Sequence, residues 1–206
     1  MKLPSIKFAK TETLVLRCCR ADLTSHGGFQ WKKSGIVSAP DFRNNKVCGN
    51  GIHGWRRGEG DFGAWEARDD DLWLVLAAKT KDIVDLDGKV KFPRCRVLYA
   101  GNKEIATALI SENCPGAAVI HGTATAGYKG TATAGNYGTA TAGYGGTATA
   151  GDGGTATSGY GGILQIRDWD SNACRYRIVT GYIGENGILP GKKYQIDGSG
   201  QFIEVV

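Results

Sequence analysis

Between Gly122 and Gly161 the chain repeats itself five times without insertion or deletion: GTATAGYK, GTATAGNY, GTATAGYG, GTATAGDG and GTATSGYG. A fixed period of this kind is the signature of a stacked architecture, in which each unit buries its apolar face only against its neighbours. Within each octad, Thr-Ala-Thr-Ala alternates with the two-residue period of a strand. Thr123 and Thr125 therefore share one face, as do Thr139 and Thr141 two octads on, and the alanines share the other. Threonine suits a pleated surface, whereas alanine is a poor strand former on its own. The pattern is intelligible if two short strands face each other across a core that admits little more than methyl groups, with threonine outside. Glycines such as Gly127 and Gly130 are expected to supply tight corners and positive φ.

A second period sets the size of the coil. The seventh position runs Tyr128, Asn136, Tyr144, Asp152, Tyr160, so tyrosine returns every second octad. Two octads per coil would stack the three tyrosines on one edge and put Asn136 and Asp152 on the opposite edge, where both tolerate turn geometry. Five octads then make two and a half coils. A disordered tract of the same composition would need neither the register nor the tyrosine spacing. So thin a core offsets little chain entropy unless both ends are covered. The expected covers are Ala117-Ala118-Val119-Ile120 and Gly162-Ile163-Leu164-Gln165-Ile166.

The flanks read as ordered modules, giving an expected division into an N-terminal α+β module (1–116), the octad region (117–162) and a C-terminal antiparallel β cap (163–206), mostly β overall. Thr13–Leu16 and Leu72–Leu76 read as buried strands and Arg94–Tyr99 as a half-exposed one. A helix is expected from Asn102, which can cap it, to about Glu112. The C-terminal strands are expected at Ile163–Ile166, Cys174–Thr180, Lys193–Ile196 and Gln201–Val206. Turns at Asp168–Asn172 and Asp197–Gly200 separate them, and Arg175, Arg177 and Tyr182 are placed on a basic, aromatic outer face.

Function classes are bounded less tightly. Of the 25 Lys+Arg and 20 Asp+Glu, residues 1–120 hold 19 and 14, leaving 6 and 6, so the whole +5 excess lies in the first part of the chain. That balance reads as a solubilising surface and gives only weak support for a nucleic-acid partner. The first ten residues lack the apolar run of a signal peptide, and no stretch approaches the roughly 18 apolar residues that span a membrane. The expectation is a cytoplasmic chain with no membrane partner, whose six cysteines are thiols. His53, between glycines and beside Trp55, is the one position with a catalytic flavour, and with Trp31 it outlines a candidate pocket. The plainer reading is a tight turn whose histidine satisfies backbone groups. Asp69-Asp70-Asp71 reads as a solvated turn. No catalytic set, metal site or cofactor is assigned.

Read from Ala126, the octads (AGYKGTAT, AGNYGTAT, AGYGGTAT, AGDGGTAT) resemble the AGYGSTxT repeats of bacterial ice-nucleation proteins, over about a fifth of the chain. The resemblance implies a β-solenoid of 16-residue coils. Those proteins carry dozens of octads, and a threonine face of two or three rungs is too small to order an ice embryo. The flanks, including Ile83–Pro93 and Gly181–Pro190, resemble an uncharacterised module of bacterial and phage proteins, which implies a phage or prophage context without an activity. The resulting expectation is a non-enzymatic binding or assembly protein. Its tyrosine ladder (Tyr128, Tyr144, Tyr160) and threonine face (Thr123, Thr125, Thr139, Thr141) would serve self-association, as a homodimer, or a protein partner. One alternative is a phage-encoded inhibitor that docks on a host defence complex of the CRISPR type. Another is an enzyme with its pocket near His53.

Overall fold

The computed structural model describes residues 3–61 and 68–206. The chain divides into two compact units, Met1–Ala117 and Ala118–Val206, and is mostly β.

The first unit is built on one antiparallel sheet. Its strands are β1 (Glu12–Cys19), β2 (Thr24–Ser25), β3 (Phe29–Gln30), β4 (Gly35–Ser38), β5 (Ile52–Arg56), β6 (Leu72–Lys79), β7 (Val84–Asp85), β8 (Val90–Phe92) and β9 (Arg94–Gly101), followed by helix α1 (Lys103–Asn113). The main sheet runs β4-β9-β6-β1-β5-β8-β7, and β2 and β3 form a separate small ribbon. In β1 and β6 almost every residue from Leu14 on is buried, so these central strands read as continuous apolar runs rather than alternating ones. Leu14, Leu16, Leu74, Leu76, Trp73 and Phe92 are among the fully buried side chains. Helix α1 packs on β6, β1 and β9. Asn102 caps it as expected, its Oδ1 accepting the Ile105 N–H at 3.0 Å.

One expectation is corrected here. Asp69 and Asp70 are exposed, but Asp71 is buried. Its carboxylate accepts from Arg20 Nη1 at 3.0 Å and from the Arg68 N–H at 3.0 Å. The last member of the acidic run is thus an ionic tie to the end of β1, where the pairing with Arg20 offsets the cost of desolvating the carboxylate.

The second unit holds β10 (Thr123–Ala126), β11 (Thr131–Thr133), β12 (Thr139–Ala142), β13 (Thr147–Ala150), β14 (Thr155–Thr157), β15 (Ile163–Asp170), β16 (Arg175–Tyr182), β17 (Lys193–Ile196) and β18 (Phe202–Val205). Successive octads alternate between two sheets. β10, β12 and β14 pair in parallel, as do β11, β13 and β15, each residue lying opposite the one sixteen positions on. β15 takes a place no octad occupies: Ile163 to Ile166 lie in register with Thr147 to Ala150, so β15 is the sixth parallel strand and the third rung of its sheet. Each parallel sheet then ends in reversed strands, β17-β18 on one and β16 on the other.

Alanines 132, 140, 148 and 156 are buried between the sheets, while the threonines stay exposed or half-exposed. Leu164, Ile166, Ile188 and Tyr194 continue this core with larger side chains. Where the last octad substitutes serine, Ser158 is fully buried and its hydroxyl donates to the Gly146 carbonyl at 3.0 Å.

Two corrections belong to this unit. Asp168–Asp170 is strand, not turn: β15 runs on against β16, with Trp169 opposite Tyr176 and the two rings edge to face at 4.9 Å. The turn begins one step later, where Asp170 Oδ1 accepts the Asn172 and Ala173 N–H groups. The corner glycines also have a different reason. Positive φ falls at the eighth position, in Lys129, Tyr137, Gly145, Gly153 and Gly161, and not in Gly127 or Gly130. The first-position glycines, and the sixth-position ones after Gly127, are required by close approach: a Cβ on Gly143 would lie 2.8 Å from the Gly127 carbonyl carbon, and one on Gly130 2.9 Å from Ala126 Cβ, whereas one on Gly127 would meet nothing within 4 Å.

Candidate functional site

The corner of each octad is a turn closed by the first-position N–H on the preceding sixth-position carbonyl, as in Gly130 to Gly127 at 3.1 Å and Gly146 to Gly143 at 3.0 Å. Corners of the same edge are also bonded to each other. The Lys129 N–H donates to the Tyr144 carbonyl at 2.8 Å and the Gly145 N–H to the Tyr160 carbonyl at 2.9 Å. These bonds hold the seventh positions one above another, and that is why the tyrosines form a column. Tyr128 and Tyr144 stack with centroids 5.8 Å apart and planes 13° from parallel. Tyr128, Tyr144 and Tyr160 are 69%, 59% and 69% exposed, unusual for rings of this size. Lys129 Nζ sits 5.2 Å from the Tyr128 centroid, a cation–π contact at the same edge.

Next to this edge lies the threonine face of β10, β12 and β14, where Thr123 and Thr125 are exposed and Thr139 and Thr141 half-exposed. Thr155 Oγ1 and Thr139 Oγ1 are hydrogen-bonded at 3.0 Å across the ladder. The opposite edge is made differently. Asn136 is buried, and its Oδ1 accepts the Asp152 N–H at 3.1 Å, while His121 stacks on Tyr137 at 5.2 Å. One edge is therefore a ring column open to solvent, the other an internally bonded polar seam. The His121–Tyr137 pair was not foreseen, although its spacing is again sixteen residues.

The three residues of the candidate pocket in the first unit are dispersed in function. Trp31 is buried, its Nε1 donating to Ser25 Oγ at 3.0 Å, and Trp55 is buried against Trp73 with its Nε1 on the Asp61 carbonyl at 2.8 Å. His53 is half-buried, and its Nε2 accepts the Gly49 N–H at 3.3 Å. Burial, helped by the charges of Lys89, Arg17 and Lys91, holds its pKa down to about 4, so the ring is neutral near pH 7.

Its cross-strand neighbour Lys91 escaped the sequence-based reading altogether. The Val-Lys-Phe alternation suggests an outward lysine, yet Lys91 is fully buried. Its ammonium donates to Asn45 Oδ1 at 2.8 Å and to the carbonyls of Val47 and Gly49 at 2.7 and 3.2 Å, tying down the loop that covers this face. A cleft of about 470 Å³ opens beside β5 and β8, lined by Arg56, Arg57, Glu59, Gly60, Asp85, Gly88, Lys89 and Val90. None of Trp31, His53 and Trp55 lines it. Among the described residues no group of three His, Cys, Asp or Glu side chains is placed to hold a metal ion, and no helix is long and apolar enough to cross a membrane.

Residues 13–108 match the family described as a domain of unknown function (DUF7666). Ice nucleation proteins are similar over about half of the chain. One from Pseudomonas syringae is 32% identical over 102 residues, covering 48% of this chain and 9% of the relative. One from Xanthomonas campestris pv. translucens is 32% identical over 110 residues, 52% of this chain and 7% of the relative. Ice nucleation protein InaU of Pantoea ananas is 32% identical over 101 residues, 48% and 10%. The chain thus spans a tenth or less of the length of these relatives. No solved structure matches the chain.

Proposed function

We propose that the chain is a non-enzymatic binding and assembly protein whose octads form a short β-solenoid, two octads to the coil, that associates with a second copy through its tyrosine edge and the adjoining threonine face. The row of three exposed tyrosines, of which Tyr128 and Tyr144 stack, carries this reading. Tyrosine presents a large amphipathic surface at a small entropy cost, and a row of them on one edge is a contact site rather than a solvated face. The sixteen-residue parallel register supports the solenoid, and likeness to ice nucleation proteins over half of the chain supports a role without catalysis. Residues 163–206 act as its cap, because reversed strands stop parallel stacking at that end.

Light-scattering mass tests the reading. The native chain is expected to self-associate in the micromolar range, and the triple variant Tyr128→Ser, Tyr144→Ser, Tyr160→Ser to run at the mass of one chain with unchanged far-ultraviolet circular dichroism. A native chain that stays single at every concentration, or a triple variant that associates as before, overturns it. Ice nucleation itself, the property named for the relatives, is not proposed for so few rungs. Droplets of the purified chain are expected to freeze with the buffer.

A further inference from the structure

The cleft of the first unit lies within the segment 13–108 and uses nothing of the repeat. Two tight turns make its floor. One follows β5, where Arg57, Gly58 and Gly60 all have positive φ; the other joins β7 to β8 through Asp87 and Gly88, also left-handed. The Asp61 N–H donates to the Gly88 carbonyl at 2.8 Å, and a side chain on Gly60 would strike that same carbonyl, so the turns meet backbone to backbone.

The charges around this floor are unequally matched. Glu59 is engaged with Arg57 at 3.7 Å, and Arg57 also reaches the Pro115 carbonyl at 3.2 Å. Asp85 turns back on its own hairpin, Oδ1 accepting the Asp87 N–H at 2.9 Å. Arg56 and Lys89 remain, and among the described residues neither has a carboxylate partner. A guanidinium and an ammonium that border one concave space make a fork and a point charge for a compact anion carrying more than one negative charge. The volume falls within the range of small-molecule sites.

We infer that this cleft binds a phosphate group, held between Arg56 and Lys89 over the Gly60–Gly88 floor. The phosphate is that of a small phosphate ester or that of a nucleic-acid backbone; both present the same oxygens. Asp85, on the rim, opposes binding and sets its strength.

Chemical-shift titration of the Gly60 and Gly88 amides at low ionic strength is the test, with inorganic phosphate as one probe and a single-stranded oligonucleotide lacking a terminal phosphate as the other. Saturable shifts with inorganic phosphate alone identify a small ester as the source. Stronger, saltier binding of the oligonucleotide identifies a backbone. In either case Arg56→Ala and Lys89→Ala are each expected to weaken binding about tenfold, as for loss of one charge-assisted hydrogen bond. Asp85→Asn is expected to tighten it several-fold, and Arg175→Ala in the other unit to leave it unchanged. Absence of shifts with both probes overturns the inference, as does binding that survives the double variant Arg56→Ala, Lys89→Ala. Both side chains lie outside the core, and an unchanged amide spectrum of the free variants verifies the fold.

Discussion

The two units are both β, but they are held together by different means. The first surrounds β1 and β6 with leucines, tryptophans and a phenylalanine, and its core is a matter of apolar volume. The repeat of the second contributes methyl groups, and its order rests on parallel ladders, corner-to-corner bonds and glycines that let backbones nearly touch. A volume-filled core fails when something is removed, a contact-limited one when something is added.

The largest expected effect separates the two kinds directly. Leu76→Ala should destabilise the first unit by about 3 kcal/mol, through lost transfer energy and a cavity. Ala140→Gly, the same kind of truncation in the repeat, should cost about 1 kcal/mol. Urea titrations of the two variants make the comparison, and equal losses would break it. Next in size, Gly143→Ala should cost about 2 kcal/mol, because its methyl must displace neighbouring backbone. Gly198→Ala, where nothing lies within 4 Å of the added carbon, should be neutral within about 0.5 kcal/mol.

In the first unit, titration should register through His53. His53 has its pKa depressed from 6.5 to about 4 by burial, so the unfolded chain takes up a proton before the folded one does. Stability contributed by the neutral ring is full above about pH 6.5, falls as the pH drops toward 4 and levels off below. His53→Gln should flatten that part of a stability–pH curve followed by tryptophan fluorescence; an unaltered slope would assign it elsewhere. Smallest, and opposite in sign, Lys129→Gly should stabilise the repeat by about 0.5–1 kcal/mol by relieving a left-handed φ of 53°. A loss instead would mean that the cation–π contact with Tyr128 outweighs the strain.

Much of the repeat was legible in the sequence because the GTATAG core shared by four of the five octads, with one Ala-to-Ser change in the last, imposes similar environments. The Ala-in, Thr-out alternation and the tyrosine column at sixteen residues follow from spacing alone. The reason for its glycines was not legible, since conformation and close approach select the same residue. In the first unit the helix announced itself through Asn102, a local signal. The sheet order, the buried Asp71 and the buried Lys91 did not. Arg20 pairs with a residue 51 positions away, and Lys91 reaches Asn45, 46 positions back. Which face a loop covers is decided by such long-range contacts, which period and composition do not encode. The cleft at Arg56 and Lys89 was hidden for the same reason.

The reversed strands at the end of the repeat bear on how such a chain can change its length. β15 continues one parallel sheet, and β17 closes the other against β14. One additional octad would deliver β15 to the wrong side and separate each closing strand from its sheet. Two additional octads, sixteen residues, would restore both. Growth and loss in this molecule are therefore a question of parity, and the smallest heritable step that preserves its architecture is a full double repeat.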